Sequence, residues 1–130
     1  MKKINALLLL PLLFALSSVN VWAEALTDEG LAGSWLLEYT KNKAEDENKA
    51  PMGITWELKN HKLIMRDVPQ SRGNPYDSMP VDYLIENGNL KVGVLGRAGK
   101  FNEYALVEKT DKTMILKDPK FGTLYYFVRK

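Results

Sequence analysis

The chain has 130 residues, with 18 Lys plus Arg against 16 Asp plus Glu, 45 % apolar residues and no cysteine. Those totals allow one small folded domain, exclude a disulfide scaffold and leave the fold to be held by its core. A formal net charge of +2 gives no basic surface of the kind that binds nucleic acid.

The first segment reads as a secretory signal peptide. Lys2 and Lys3 precede an apolar run from Ala6 to Leu16 broken only by Pro11, then Ser17, Ser18 and Val21-Trp22-Ala23. A basic start, a short apolar core and a small residue at the cut are the features of such a peptide. The run is too short to cross a bilayer comfortably, so no membrane span is expected after cleavage. Cleavage is expected after Ala23, with Ala25 as a second position, and the absence of cysteine excludes a lipid-anchored lipoprotein. The expectation is export to the periplasm or beyond, leaving a domain of residues 24–130 with sixteen charges of each sign. The positive excess thus belongs to the segment removed.

In the remaining chain a short helix is expected over Leu26–Ala32, capped by Thr27 and ended by Gly33. Eight strands follow. The first is Ser34–Tyr39, with Trp35, Leu37 and Tyr39 on one face. Met52–Lys59 alternates most clearly: Met52, Ile54, Trp56 and Leu58 on one side, Gly53, Thr55, Glu57 and Lys59 on the other. Asn60-His61 turns into Lys62–Asp67. Val81–Glu86 and Asn89–Leu95 flank Asn87-Gly88, a strong hairpin signal. Asn102–Glu108, Thr113–Lys117 and Thr123–Arg129 complete the set. Mostly short connections favour an up-and-down barrel, which leaves no open edge, over a two-sheet sandwich, which stays open as the rival.

Two connections are longer. Lys41–Pro51 is charged with both signs and reads as a solvated loop. Val68–Pro80 carries three prolines, a glycine, Arg72 and Tyr76. It is either a plain connection or a rim element of a binding site. "GVLGRAGK", Gly93–Lys100, lacks the spacing of a phosphate loop and reads as a glycine-rich hairpin, with Arg97 and Lys100 at its tip.

Gly33-Ser34-Trp35, at the start of the first strand and behind a helical turn, resembles the Gly-x-Trp of lipocalins and the wider calycin group. Thr110-Asp111-Lys112 resembles part of their Thr-Asp-Tyr turn, without its tyrosine, and Arg129 stands near the end of the last strand as their arginine does. The resemblance implies a barrel closed at one end by Trp35, with Gly33 allowing close approach beneath it and Arg129 packed over it as a cation–π pair. It also implies binding of a small molecule. The chain is shorter than typical lipocalins and ends with its last strand.

An eight-stranded barrel is only wide enough for side chains or one small ligand. The expected inward set is bulky: Trp56, Met65, Tyr83, Tyr104, Met114 and Tyr126. The expected ligand-contacting set is Trp56, Met65, Arg72, Tyr76, Tyr83, Tyr104 and Tyr126, at the rim and mouth. No catalytic residue is expected, because His61, the one histidine, stands in a tight turn without a partnered nucleophile. No metal or cofactor is expected, since the methionines fit a core pattern and no zinc or calcium spacing occurs. The first reading is therefore a non-enzymatic binder of a small apolar or amphipathic molecule. The second is a protein-binding module of the cell envelope, such as a hydrolase inhibitor or assembly factor. The last strand, aromatic on both faces, fits a core side plus either a partner surface or a second core.

Overall fold

A computed structural model describes residues 26–130; the expected signal segment and its cut after Ala23 lie outside them. A single helical turn, α1 (Asp28–Leu31), is capped by Thr27, whose Oγ1 accepts the Gly30 N–H at 3.0 Å. It is shorter than the sequence suggested because Ala32 is already extended. Eight strands follow: β1 (Gly33–Lys41), β2 (Ala50–Lys59), β3 (Lys62–Arg66), β4 (Val81–Glu86), β5 (Asn89–Val94), β6 (Arg97–Lys109), β7 (Thr113–Lys117) and β8 (Leu124–Arg129).

Each strand pairs antiparallel with the next, and β8 pairs back onto β1, so the sheet is a closed barrel rather than a sandwich. Two of the hairpins that set this order have the expected turns. Asn60 and His61 have φ of 52° and 62°, and Asn87 and Gly88 have 54° and 80°. These are the left-handed pairs whose twist matches that of the flanking strands.

Pairing fixes which side chains face inward, because directly opposed residues share a face. The chain Met65, Trp56, Trp35, Arg129 runs across three strand pairs on the inner side. Leu37 opposes Phe127, and Phe127 opposes Met114, on the same side. The core so formed includes Leu31, Trp35, Trp56, Leu58, Leu63, Leu90, Met114, Leu116 and Phe127. The outer side carries Glu57, Lys62, Arg66, Asp82, Glu86 and Lys91, joined as the pairs Arg66–Glu57, Lys62–Asp82 and Lys91–Glu86.

Three register shifts interrupt the ladder; one lies beside the β5–β6 turn, between Gly93 and Val94, and the other two each correct an expectation. The register shifts between Leu37 and Tyr39, so Tyr39 leaves the face of Trp35 and Leu37. It turns outward and stacks on Tyr126, with ring centroids 4.5 Å apart. Tyr126 is therefore on the outer wall, not in the interior; Tyr125 and Phe127 point inward instead. The second shift lies between Leu106 and Glu108. It extends β6 to Lys109, expected in a turn, and directs that lysine inward to complete burial. One inserted residue flips every later side chain to the other face.

The barrel has a closed and an open end. At the closed end, the Trp35 Nε1–H donates to the Leu31 carbonyl at 3.0 Å. The Arg129 guanidinium lies 4.1 Å from the centre of the Trp35 ring. It also donates to the carbonyls of Asp111 (2.8 Å), Ala32 (2.9 Å) and Gly30 (2.7 Å). The buried Lys109 ammonium approaches the same ring at 5.6 Å and donates to the Thr110 carbonyl at 3.2 Å. Gly33 has φ of +120°, and a Cβ there would meet Arg129 Nη1 at 2.9 Å. Glycine is required at this point both for its conformation and for space.

Arg129→Ala should lower the unfolding free energy by about 2–4 kcal/mol, from lost charged hydrogen bonds and ring contact. Arg129→Lys should recover less than half, because an ammonium cannot match a planar fork. Gly33→Ala should cost about 1–3 kcal/mol. Urea unfolding of the three variants checks this; unchanged midpoints would mean the core alone holds that end.

Candidate functional site

The open end is built by the connections after β1, β3, β5 and β7. It includes a cleft of about 540 Å³ between β6 and the β7–β8 turn, lined by Phe101–Tyr104, Asp118–Phe121 and Tyr125. The turn is held locally. Asp118 Oδ1 accepts the N–H groups of Lys120 (2.8 Å) and Phe121 (3.3 Å), and the Gly122 N–H closes on the Asp118 carbonyl at 2.6 Å. Such an Asx arrangement is what Asp-Pro at a turn supplies.

Behind the cleft the barrel is filled with rings in edge contact. Tyr125 meets Tyr104 at 5.4 Å, Tyr104 meets Trp56 at 5.6 Å, and Trp56 meets Phe127 at 4.9 Å. The floor is thus aromatic, while Asn102, Glu103, Asp118 and Lys120 give the rim polar groups of both signs. Burial pushes the Tyr104 phenol up to about 12, with the neighbouring Tyr125 and Asp118 adding to it. Burial, then the charge of Asp118, also raises Tyr125. Both rings therefore face the cleft as neutral hydrogen-bonding groups at physiological pH.

The expected ligand-contacting residues do not all meet here. Tyr104 lines the cleft, and Trp56 stands directly behind it, buried. Met65 opposes Trp56 across β2 and β3, inside and half-buried. Tyr83 is inside but at the closed end: its N–H bonds the His61 carbonyl at 2.9 Å and its ring lies 5.7 Å from His61. Strand β4 runs downward from its first residue, which takes Tyr83 away from the mouth. Tyr126 is on the outer wall, as described above. Arg72 and Tyr76 belong to the open end but do not line the cleft.

Their loop, residues 67–80, is pinned rather than loose. Val68 and Tyr76 exchange backbone hydrogen bonds of 2.7 and 3.0 Å. Arg66 Nη1 donates to Asp77 at 2.7 Å, and Ser78 exchanges hydrogen bonds with the Met65 backbone at 2.7 and 2.9 Å. The loop so covers the upper part of β3, because β3 and β4 pair at only two positions, Lys62 with Asp82 and Leu63 with Val81. The Asp67 N–H and the Arg66 guanidinium hold the Asp77 carboxyl below the usual range.

Sequence reasoning passed over Tyr125, Lys120, Phe121 and Asp118 as a turn and one face of an ambiguous strand. The available signal was Phe121, a large apolar residue inside a Pro/Gly turn. His61 is exposed and 3.6 Å from Asp28, on the far side from the cleft. Among the described residues no group of three or more His, Cys, Asp or Glu is placed to hold a metal ion.

Tyr104 supplies a pH signature. Its folded value exceeds the ordinary 10.0, so its contribution to stability is complete below pH 10 and lost as pH rises toward 12. Denaturant-derived stability should fall across that window more steeply for the native chain than for Tyr104→Phe. A phenolate absorbance titration should lose its last-ionising tyrosine in the same variant; identical curves would place Tyr104 in water.

No family model and no curated protein matches the sequence. Two solved structures match the fold. One is an uncharacterised protein from Bacteroides eggerthii, at 14% identity and TM-score 0.59, covering 76% of this chain and 98% of that one. The other is a lipocalin-like protein from Bacteroides uniformis, at 11% identity and TM-score 0.59, covering 78% of this chain and 99% of that one. At such identities the likeness is one of architecture. It agrees with the Gly-x-Trp start, the eight antiparallel strands and the arginine over the tryptophan: the chain is a closed eight-stranded barrel resembling lipocalin-like, calycin-type folds.

Proposed function

We propose that the protein is an exported, non-enzymatic binding protein that holds one small amphipathic molecule at the mouth of its barrel. The observation that carries this reading is the cleft of Phe101–Tyr104, Asp118–Phe121 and Tyr125, an aromatic floor with a polar rim. The exposed lining is more polar than apolar, with Tyr104 and Tyr125 at the floor, so the cleft suits a ligand that offers polar groups as well as an apolar part. The rings of Trp56, Tyr104 and Phe127 stand in contact behind it, which supports a ligand at the rim rather than deep inside. A volume of about 540 Å³ suits a molecule of drug-like size. Its apolar part would lie on Tyr104 and Tyr125, and its polar part would meet Lys120, Asp118 or Asn102. Export, with cleavage after Ala23, belongs to the same proposal and rests on the character of residues 1–23.

The amphipathic probe 1-anilinonaphthalene-8-sulfonate tests the cleft directly. It should bind saturably at one site, with energy transfer from tryptophan. Tyr125→Leu, which keeps an apolar side chain, should weaken it about tenfold through loss of ring contact, with an unchanged thermal melt. Unsaturable binding, or equal affinity in the variant, would reject the cleft as the site. A native mass spectrum of protein purified gently from its producing cells should show a discrete added mass that disappears on denaturation.

A further inference from the structure

Among the described residues seven large apolar side chains are exposed: Met52, Tyr76, Met79, Leu95, Phe101, Val107 and Phe121. Val107 is on the outer wall at the β6 bulge. The other six all belong to the open end. The most exposed of them stand on three separate connections: Met79 (66%) before β4, Leu95 (59%) between β5 and β6, and Phe121 (74%) between β7 and β8. Leu95 and Phe121 sit in the short turns after β5 and β7, and Met79 stands near the end of the 67–80 connection, just before β4.

These three connections adjoin one another. Pro80 and Leu95–Phe101 line one shallow hollow, and Phe101 also lines the cleft that reaches Phe121. The same end carries Arg72 on the 67–80 connection, Arg97 and Lys100 at the start of β6, and Lys120 in the β7–β8 turn. Elsewhere on the barrel, Lys62, Arg66 and Lys91 are held by carboxylates. Arg72, Arg97 and Lys100 have no such pair among the described residues. Of the acids on these connections, Asp77 pairs with Arg66 of β3 and Asp118 accepts from the backbone of Lys120 and Phe121, while Asp67 is a further acid beside β3. The remaining connection, residues 42–49, carries Lys43 and Lys49 against Glu45, Asp46 and Glu47 and adds no net positive charge.

From this arrangement we infer that the open end docks onto an anionic lipid bilayer, with Met79, Leu95 and Phe121 dipping among the headgroups and Arg72, Arg97, Lys100 and Lys120 facing lipid phosphates. Single apolar side chains on protruding tips, ringed by Lys and Arg, are how interfacial proteins attach: apolar burial and electrostatic attraction act together. A protein partner would call for something different. Protein interfaces concentrate apolar area in a flat, charge-poor centre and are depleted of lysine. Here the apolar residues stand on separate connections, at an end that also carries Arg72, Arg97, Lys100 and Lys120. The outer wall elsewhere carries the ion pairs of β2 to β5, the Tyr39–Tyr126 stack and Val107, without a second group of protruding apolar side chains among the described residues. Docked in this way, the cleft of Tyr104 and Tyr125 would open at the depth of lipid headgroups.

Vesicle flotation tests the inference. The purified protein, expressed from its full sequence, is mixed with phosphatidylglycerol/phosphatidylethanolamine vesicles or with neutral phosphatidylcholine vesicles. Mass spectrometry records whether residues 1–23 remain; all variants share that N-terminus, so differences between them read the mouth alone. The native chain should float with anionic vesicles, much less with neutral ones, and lose binding in high salt. Met79→Ser/Leu95→Ser and Arg97→Glu/Lys100→Glu should each weaken binding about tenfold or more. These four residues are exposed, and unchanged circular-dichroism melts of at least one pair establish that the fold is retained. Absence of flotation, or equal flotation of native chain and variants, overturns the inference. So does a dimer or a protein complex that the same substitutions disrupt while vesicles are ignored. None of the four residues contacts the anilinonaphthalene site, so that probe still reports on the cleft when docking fails.

Discussion

The contact of Arg129 with Trp35 is the interaction on which the rest of the barrel depends. It joins the last strand to the first, and both to the turn before β7 and the helical turn α1, within one side chain's reach. A chain without disulfides must prevent its sheet from unrolling by other means, and full closure of the hydrogen-bonded ladder is the strongest available. Closure requires a filled end, and Trp35 fills it; the ring in turn needs its indole N–H satisfied, which the Leu31 carbonyl does. Lys109 enters the same place as a buried cation beside the ring, a position that water could not stabilise. Two cations thus meet the Trp35 ring, Lys109 buried and Arg129 half-buried, and each also donates to backbone carbonyls.

Once that end is shut, the taper of the barrel decides where a ligand has room. Trp56, Tyr104, Phe127 and Tyr125 are too large to leave a deep chamber, and they step upward as a ladder of edge contacts that ends at the mouth. Packing therefore leaves space at the rim rather than in the interior. The β7–β8 turn supplies the opposing wall, and its Asp118-centred hydrogen bonds give that wall a fixed shape before any ligand arrives. Preformed walls reduce the ordering cost of binding.

The fold was largely legible in the sequence because its signals are local. Period-two alternation in Met52–Lys59, Asn-Gly and Asn-His turns, and a Gly-x-Trp behind a helical start each act within a few residues. The site was less legible because it depends on parity carried across two bulges. Neither Glu38 nor Val107 announces itself as an inserted residue; non-glycine bulges place no strict demand on side-chain type. Strand β8 sharpened the problem. Leu-Tyr-Tyr-Phe-Val-Arg is apolar or aromatic on both faces, so alternation alone could not choose between Tyr126 and its neighbours. Pairing across β1 made the choice: Tyr126 went out to stack on Tyr39, and Tyr125 came in to form the floor of the cleft.

The two-position pairing of β3 with β4 has a consequence for how the barrel breathes. Everywhere else the ladder runs for several residues, so thermal opening concentrates at this seam. When the seam parts, the barrel becomes an open sheet whose two edges are β3 and β4, and free edges recruit other chains. The flanking residues disfavour that outcome. Pro80 removes a donor just before β4, Lys62 and Asp82 place opposite charges side by side at the gap, and the pinned loop hydrogen-bonds to Met65 along the upper edge of β3. The loop thus works as a cover over a latent edge, keeping a barrel that opens briefly from becoming an aggregate.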